Sequence, residues 1–197
     1  LTDRNTENRR EAYILAGGES RRFGTDKALF PLEGRPLILH VIETLEPLFH
    51  SLTIVSSRGE KLGFTGREVI PDRIEGIGPL GGIHAAMTHC RSERFFAAAC
   101  DLPGLNRDLV RYMLELQGEH DVILPLVNNQ WEPLHAVYGR QCLHAVEHCI
   151  SLGKRRVFDF FDSCRLREVG EDEIRPFGDP KRIFRNINFR EDLEAFQ

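Results

Sequence analysis

Four short apolar runs recur along the chain: AYIL at 12–15, SLTIVSS at 51–57, RFFAAAC at 94–100 and DVILPLV at 121–127. Their length and composition are those of strands, and each successive pair leaves room for a helix. In the first gap, RPLILHVIETLEPLF sets Ile38, Val41, Ile42, Leu45, Leu48 and Phe49 on one stripe with the period of a packed helix, and Pro36 suits its first position. GPLGGIHAAMTHC at 78–90 reads as a helix opened by Gly and Pro. NRDLVRYMLELQG at 106–118 reads as a helix with Asn106 as N-cap and Gly118 as stop, and EDLEAFQ as a short terminal helix. Strand and helix therefore alternate, which predicts an α/β sheet. From 127 to 185 the pattern is less regular; EPLHAVY and RLREVG are further strand candidates, and the segment is expected to cover one end of the sheet. With no internal repeat, low-complexity tract or linker in 197 residues, a single domain is expected.

Composition narrows the partners. A formal net charge of -4, with 28% charged and 41% hydrophobic residues, argues against a general binder of nucleic acid or of anionic membranes. Any cation cluster must be local. Cys90, Cys100, Cys142, Cys149 and Cys164 are odd in number, form no C-x-x-C pair and mostly sit among apolar residues, so they read as reduced core thiols of a cytoplasmic protein. LTDRNTENRRE at the start has no apolar h-region, and no window approaches the length of a membrane span.

The chemistry gathers around ILAGGESRRFGTDKALF, Ile14 to Phe30. Paired glycines directly after a buried strand let backbone N–H groups converge on a ligand without interference from Cβ atoms, which makes an anion-binding nest. The stretch fits neither G-x-x-x-x-G-K-[ST] nor G-x-G-x-x-G, which disfavours a P-loop kinase or a Rossmann dehydrogenase. Arg21, Arg22 and Lys27 are placed to neutralise a polyphosphate, with Lys27 after the loop turns back. In AACDLPGL, Asp101 ends a very apolar run, and in open α/β sheets ligands collect at the carboxyl ends of strands. Asp101 and the Gly17–Gly18 loop should share one crevice. A carboxylate there suits Mg²⁺, which takes one or two carboxylates together with phosphate oxygens and waters. VIPDRIEGIGPLGG adds Asp72 after another strand-like pair, positioned for a ribose or base, and glycines 78–82 that allow close backbone approach.

These residues together resemble the molybdenum cofactor guanylyltransferase (MobA) family of the nucleotide-diphospho-sugar-transferase-like nucleotidyltransferases. LAGGESRRFGTDKALFPLEGRPLILHV matches the family's L-A-G-G-x-S-x-R-M-G-x-D-K-x-L with Phe23 in place of Met, and PDRIEGIGPLGGI, CDLP, GKRRVFDFF and NINFREDL follow in family order, spanning 14 to 193. The resemblance implies a three-layer α/β/α sandwich with a mostly parallel, Rossmann-like sheet of the nucleotide-diphospho-sugar transferase type. It divides the chain into a nucleotide-binding half, about 11–126, and an acceptor-binding half, about 127–197. It implies transfer of GMP from GTP to molybdopterin, with release of pyrophosphate. Leu15, Ala16, Gly17 and Gly18 are then the GTP-contacting loop, Lys27 a phosphate contact, Asp72 a guanine-nucleotide contact, and Asp101 a ligand of nucleotide and Mg²⁺. Ser56 stands where the family often has a nucleotide-contacting Asn. Arg22 joins the loop amides on the β- and γ-phosphates, so Lys27, Asp101 and Arg22 form the catalytic set. For the acceptor, Arg155 and Arg156 suit a phosphate, and Asn186 and Asn188, on alternate positions of an extended segment, suit a polar pterin. Small-molecule substrates are the expected partners, with transient contacts to other cofactor-biosynthesis proteins or molybdoenzymes.

Other signals weigh less. HAVEH at 144–148 matches an inverted zinc-protease motif, but the apolar stripe Leu143, Val146, Cys149 and Ile150 leaves His144 and His148 on the opposite face. Trp131, after Asn128 and Asn129, reads first as a loop or rim aromatic, with a pterin-stacking role as the lesser alternative, and Glu132 is assigned no catalytic role. The rival readings are a cytidylyltransferase or sugar-phosphate nucleotidyltransferase of the same fold, for which L-A-A-G would be usual, and a GTP-binding regulatory module without catalysis.

Overall fold

The computed structural model describes residues 9–17, 27–74 and 76–187. In chain order it begins with β1 (Glu11–Leu15), the short pair β2 (Pro31–Leu32) and β3 (Arg35–Pro36), α1 (Leu37–Leu45), β4 (Ser51–Val55) and β5 (Glu68–Ile70). Next come α2 (Pro79–His89), β6 (Arg94–Ala99), α3 (Arg107–Glu115), β7 (Val122–Val127), β8 (Gln130–Trp131) and β9 (His135–Gly139). α4 (Leu143–Ser151), β10 (Leu166–Gly170), α5 (Glu171–Ile174) and α6 (Pro180–Ile183) complete the described chain. Gly18, Arg22, Asn188 and the expected terminal helix EDLEAFQ lie outside the described residues.

The main sheet runs β10-β7-β9-β6-β1-β4-β5, with β8 beside β7. β1 pairs in parallel with β4 on one side and β6 on the other, and β4–β5 and β7–β10 are parallel as well. Only β8 and β9 run against the rest among the described strands, β9 lying between β6 and β7. Every residue of β1 is buried, because helices cover both faces. Alternation divides its side chains: Ala12 and Ile14 enter the core with α1 and α3, while Tyr13 and Leu15 enter the core with α2 and α4. The three-layer, mostly parallel architecture expected from the sequence is thus present.

The four apolar runs all form strands: the first gains Glu11 at its start, and the other three are trimmed by a residue or two at one end. Asn106 caps α3 as expected, its side chain accepting hydrogen bonds from the Asp108 and Leu109 amides. Pro36 is the N-cap of α1 rather than its first helical residue, because it still pairs with Pro31 in the β2–β3 hairpin. The stretch 127–185 does more than cover one end of the sheet: β8, β9 and β10 are part of it. Its irregular look comes from reversal, since β7 and β8 are joined by Asn128 and Asn129, both with positive φ, the tight-turn geometry that Asn tolerates. The five cysteines are free thiols, four of them buried and Cys164 half-buried. No helix among the described residues is long and apolar enough to cross a membrane.

One buried group runs against the apolar logic of the core. His135, fully buried at the start of β9, lies edge-on to Phe96 and to Phe184, with ring centroids 5.3 and 4.9 Å away, and neither ring nitrogen has a hydrogen-bond partner among the described residues. Burial pushes its pKa down to about 3, so the fold holds the neutral ring. A depressed histidine pKa leaves stability intact above the ordinary value of about 6.5 and erodes it as pH falls below that point. His135→Phe, which removes two unsatisfied nitrogens, is expected to raise the melting temperature by a few degrees. It should also flatten the acid-side loss of stability between pH 6.5 and 4. Thermal unfolding over that pH range checks this; an unchanged pH slope would contradict it.

Candidate active site

The parallel strands end at one level. Leu15 is in register with Val55 on one side and Ala99 on the other, and the ladder continues one residue further, with the Ala16 amide donating to the Val55 carbonyl at 2.9 Å and the Cys100 amide to the Leu15 carbonyl at 3.2 Å. The chain leaves β1, β4 and β6 along one rim. Ser56 is 3% exposed, and its hydroxyl donates to the Ala16 carbonyl at 3.1 Å while accepting from the Arg58 amide at 3.1 Å. It holds the β1 loop in place from within. Gly17 follows with no positive φ, and a Cβ added there would meet nothing within 4 Å among the described residues. Nothing among the described residues requires glycine at this position; what glycine supplies is open backbone at the rim.

Lys27 returns to this rim on a short 3-10 turn, Lys27–Leu29. Its Nζ lies 3.0 Å from Asp101 Oδ2, just beyond β6, with the two side chains 26% and 17% exposed. Ion pairs this far out of water are screened less than surface pairs, so the two groups fix each other's position. Two further features brace the pair. Phe30, Leu32, Leu37 and Ile187 form a small separate cluster that ties the Lys27 turn and its hairpin to the chain after α6. The Ile187 amide donates to the Asp101 carbonyl at 3.2 Å. Asn186, exposed, is thereby carried to the edge of the Lys27–Asp101 pair.

Asp72 lies past the end of β5, where its Oδ1 accepts from the Ile74 amide at 3.1 Å. Its carboxylate lies against the first turn of α2: a Cβ on Gly81 would sit 2.6 Å from Asp72 Oδ1. A Cβ on Gly82 would come within 2.8 Å of Leu15 Cδ2. Gly81 and Gly82 therefore let the first turn of α2 approach both the carboxylate and the last residue of β1. Read across the sheet, Asp72, Ser56, Ala16–Gly17 and Asp101 follow the strand order β5, β4, β1, β6. With neighbouring strands about 4.8 Å apart, this is a strip roughly 14 Å long.

The MobA-like NTP transferase domain model matches residues 12–169. The chain belongs to that family. It is 37% identical over 183 residues to a probable molybdenum cofactor guanylyltransferase of Pelotomaculum thermopropionicum, covering 91% of this chain and 88% of the relative. It is 35% identical to the molybdenum cofactor guanylyltransferase of Syntrophotalea carbinolica, covering 94% and 90%. The crystal structure of molybdopterin-guanine dinucleotide biosynthesis protein A from Archaeoglobus fulgidus superposes with a TM-score of 0.82 at 27% identity, covering 94% of this chain and 95% of that one. As a MobA-like transferase, the protein is a nucleotidyltransferase enzyme, and the strip from Asp72 to Asp101 brings together residues of its LAGG, PDRIEGIGPLGG and CDLP motifs.

Arg155 and Arg156 lie elsewhere on the MobA-like fold, exposed ahead of a 3-10 helix, Val157–Ser163, that packs on the α2 and α4 side. Asp159 accepts from the Arg156 backbone amide at 2.9 Å and from its Nε at 3.2 Å, and the guanidinium stands 4.9 Å over the Phe158 ring. His144 and His148 are exposed on α4, as the apolar stripe required. No cluster of three metal-ligating side chains occurs among the described residues. A single strand-end carboxylate such as Asp101 fits Mg²⁺, an ion that retains waters and takes substrate phosphate oxygens, better than a zinc-type cage.

Sequence reasoning passed over Glu132. It lies where the chain bulges between β8 and β9, its amide donating to the Pro125 carbonyl at 3.0 Å, and burial raises its pKa to about 7. Nothing in EPLHAVY signals this; the desolvation arises from the fold of the bulge. A raised carboxyl pKa means that the folded chain binds the proton more tightly than the unfolded one. Stability is then fullest below the ordinary carboxyl value and is lost as pH rises toward 7. Glu132→Gln should raise the melting temperature by a few degrees at pH 8, with the gain shrinking steadily toward pH 5. A variant less stable than wild type at pH 8 would contradict a desolvated, uncompensated carboxylate.

Proposed function

We propose that the protein transfers GMP from GTP to molybdopterin, giving the guanine dinucleotide form of the cofactor and pyrophosphate. The observation that carries this reading is the Lys27–Asp101 pair, 3.0 Å apart at the carboxyl rim of the sheet of a MobA-like transferase. The nucleotide would lie along the strip, its base toward Asp72 and its phosphates over Gly17 and Lys27. Residues from about 11 to 126 thus form the nucleotide half, and those from about 127 onward the acceptor half. Ser56 acts on this reading by positioning Ala16 rather than by touching the base.

The chemistry follows from charge. The acceptor's phosphate is already an anionic nucleophile and needs no strong general base; what opposes reaction is its repulsion by the triphosphate and the charge growing on the departing pyrophosphate. Positioning and electrostatics therefore carry the rate. Lys27 is placed against the phosphorus under attack, while Gly17 lets the backbone close on the phosphates. Arg22, outside the described residues, completes the cation set on the β- and γ-phosphates. Asp101 would hold Mg²⁺, which when bound supplies Lewis-acid neutralisation of phosphate oxygens. Asp101 also orients Lys27, and the Ile187 amide fixes Asp101 in turn.

Pyrophosphate release from each of the four nucleoside triphosphates, with Mg²⁺ and molybdopterin, tests the reading. GTP should support turnover at least about tenfold above the others. Lys27→Ala and Asp101→Ala should each lose on the order of a hundredfold in kcat while remaining folded, in line with about 2.7–4 kcal/mol for a lost preorganised charge. Preference for CTP, or near-normal turnover by either variant, would overturn it.

A further inference from the structure

β8 consists of two exposed residues, Gln130 and Trp131, yet the indole of Trp131 is held firmly. Its Nε1–H donates to Glu168 Oε1 at 2.7 Å, Phe161 meets it edge-on with centroids 5.4 Å apart, and Phe158 stands 6.4 Å away. Trp131 nevertheless keeps 36% of its surface exposed and Phe158 41%, in a protein that buries most of its other large apolar side chains. Anchored aromatic surface left open to solvent at a substrate rim is a stacking platform in waiting. Cations adjoin it: Lys154, Arg155 and Arg156 are all exposed, and Arg156 lies against Phe158.

The sheet topology puts this platform further along the same rim as the chemistry. Leu126 pairs with Trp131, so β8 occupies the row between β7 and β6 that β9 fills lower down. The bulge after Trp131 then leans toward β6, where the Leu134 carbonyl accepts from the Ala99 amide at 2.9 Å, two residues before Asp101. The Trp131 backbone is therefore within about two strand spacings of Asp101, roughly 10 Å, on the side away from Asp72, and its indole reaches from there across β7 to Glu168 of β10, three strand rows or roughly 14 Å from β6. The strip that holds a nucleotide between Asp72 and Asp101 continues into an aromatic surface flanked by cations.

We infer that Trp131 and Phe158 form the wall on which the ring system of the acceptor pterin lies, with Arg155 and Arg156 at its anionic edge. This rests on the functional reading above and deepens it: the acceptor's phosphate reaches the Lys27–Asp101 pair while its fused rings stack on the indole. A flat, conjugated ring with an anionic arm matches a platform that is aromatic in the middle and cationic at one side. The indole's hydrogen bond to Glu168 sets its plane beforehand, so little side-chain freedom remains to be lost on binding.

The test measures molybdopterin binding by anaerobic equilibrium dialysis, alongside steady-state KM values for GTP and molybdopterin. Trp131→Ala and Phe158→Ala should each raise the molybdopterin Kd and KM by roughly tenfold, the scale of one lost ring stack. The KM for GTP should stay within about twofold of wild type. Trp131→Phe, which keeps an aromatic face, should recover most of the loss, an outcome that a merely structural role for the side chain would not give. Melting curves confirm that each variant is folded; should Phe158→Ala unfold, Phe158→Leu replaces it. Unchanged molybdopterin affinity in both alanine variants, with wild-type turnover intact, overturns the platform alone. Absence of GMP transfer by the wild-type protein overturns the functional reading and the platform with it.

Discussion

The site depends on one constraint, the shared register of β4, β1 and β6. Leu15 faces Val55 and Ala99 at the same level, so three parallel strands release their chains side by side. All of their carboxyl ends then open on one rim, and residues far apart in sequence become neighbours there. A shift of one residue would turn the β1 side chains to the opposite core and move the Ala16–Gly17 loop off the rim. The small cluster of Phe30, Leu32, Leu37 and Ile187, together with the Ile187 amide on Asp101, then locks the Lys27 turn to this level. Strand order does the rest. Along the rim, Asp72, Gly17, the Lys27–Asp101 pair and Trp131 follow β5, β1, β6 and the β8 row, the order in which a base, a triphosphate and an acceptor ring would have to be held.

Much of this was legible in the sequence because it is local. Buried parallel strands read as apolar runs, and the α1 and α3 stripes and the Asn106 cap follow from neighbours a few residues apart. The position of Gly17 directly after β1, at the carboxyl rim, was legible for a related reason: a glycine pair that ends an apolar run marks a strand end before any tertiary contact is known. The meeting of Lys27 with Asp101, 74 residues apart, followed only from the rule that strand ends converge.

What sequence reasoning missed depends on packing across the sheet. Ser56, expected at a nucleotide-contact position, also has a bracing role that the sequence did not announce: its hydroxyl is engaged by the Ala16 carbonyl and the Arg58 amide. The reversal of β8 and β9 has no strong periodic signal, because β8 is two residues long, follows a tight Asn128–Asn129 turn and is separated from β9 by a bulge. The strand row that brings Trp131 toward Asp101, and the burial that raises the Glu132 pKa, are both products of that reversal. His135 is a further case: a polar residue in an apolar strand gave no hint that its ring nitrogens would be left without partners among the described residues, between Phe96 and Phe184.

The central claim is that Lys27 and Asp101 act as one unit at the reacting phosphate. A double-mutant cycle on kcat/KM for GMP transfer, using Lys27→Met, Asp101→Asn and the combined variant, measures this directly. Groups that act as a unit are strongly non-additive, since removing one already spoils what the other contributes. The combined variant should therefore be within about tenfold of the worse single one. Losses that simply multiply, or a single variant that transfers GMP at the wild-type rate, would contradict the claim.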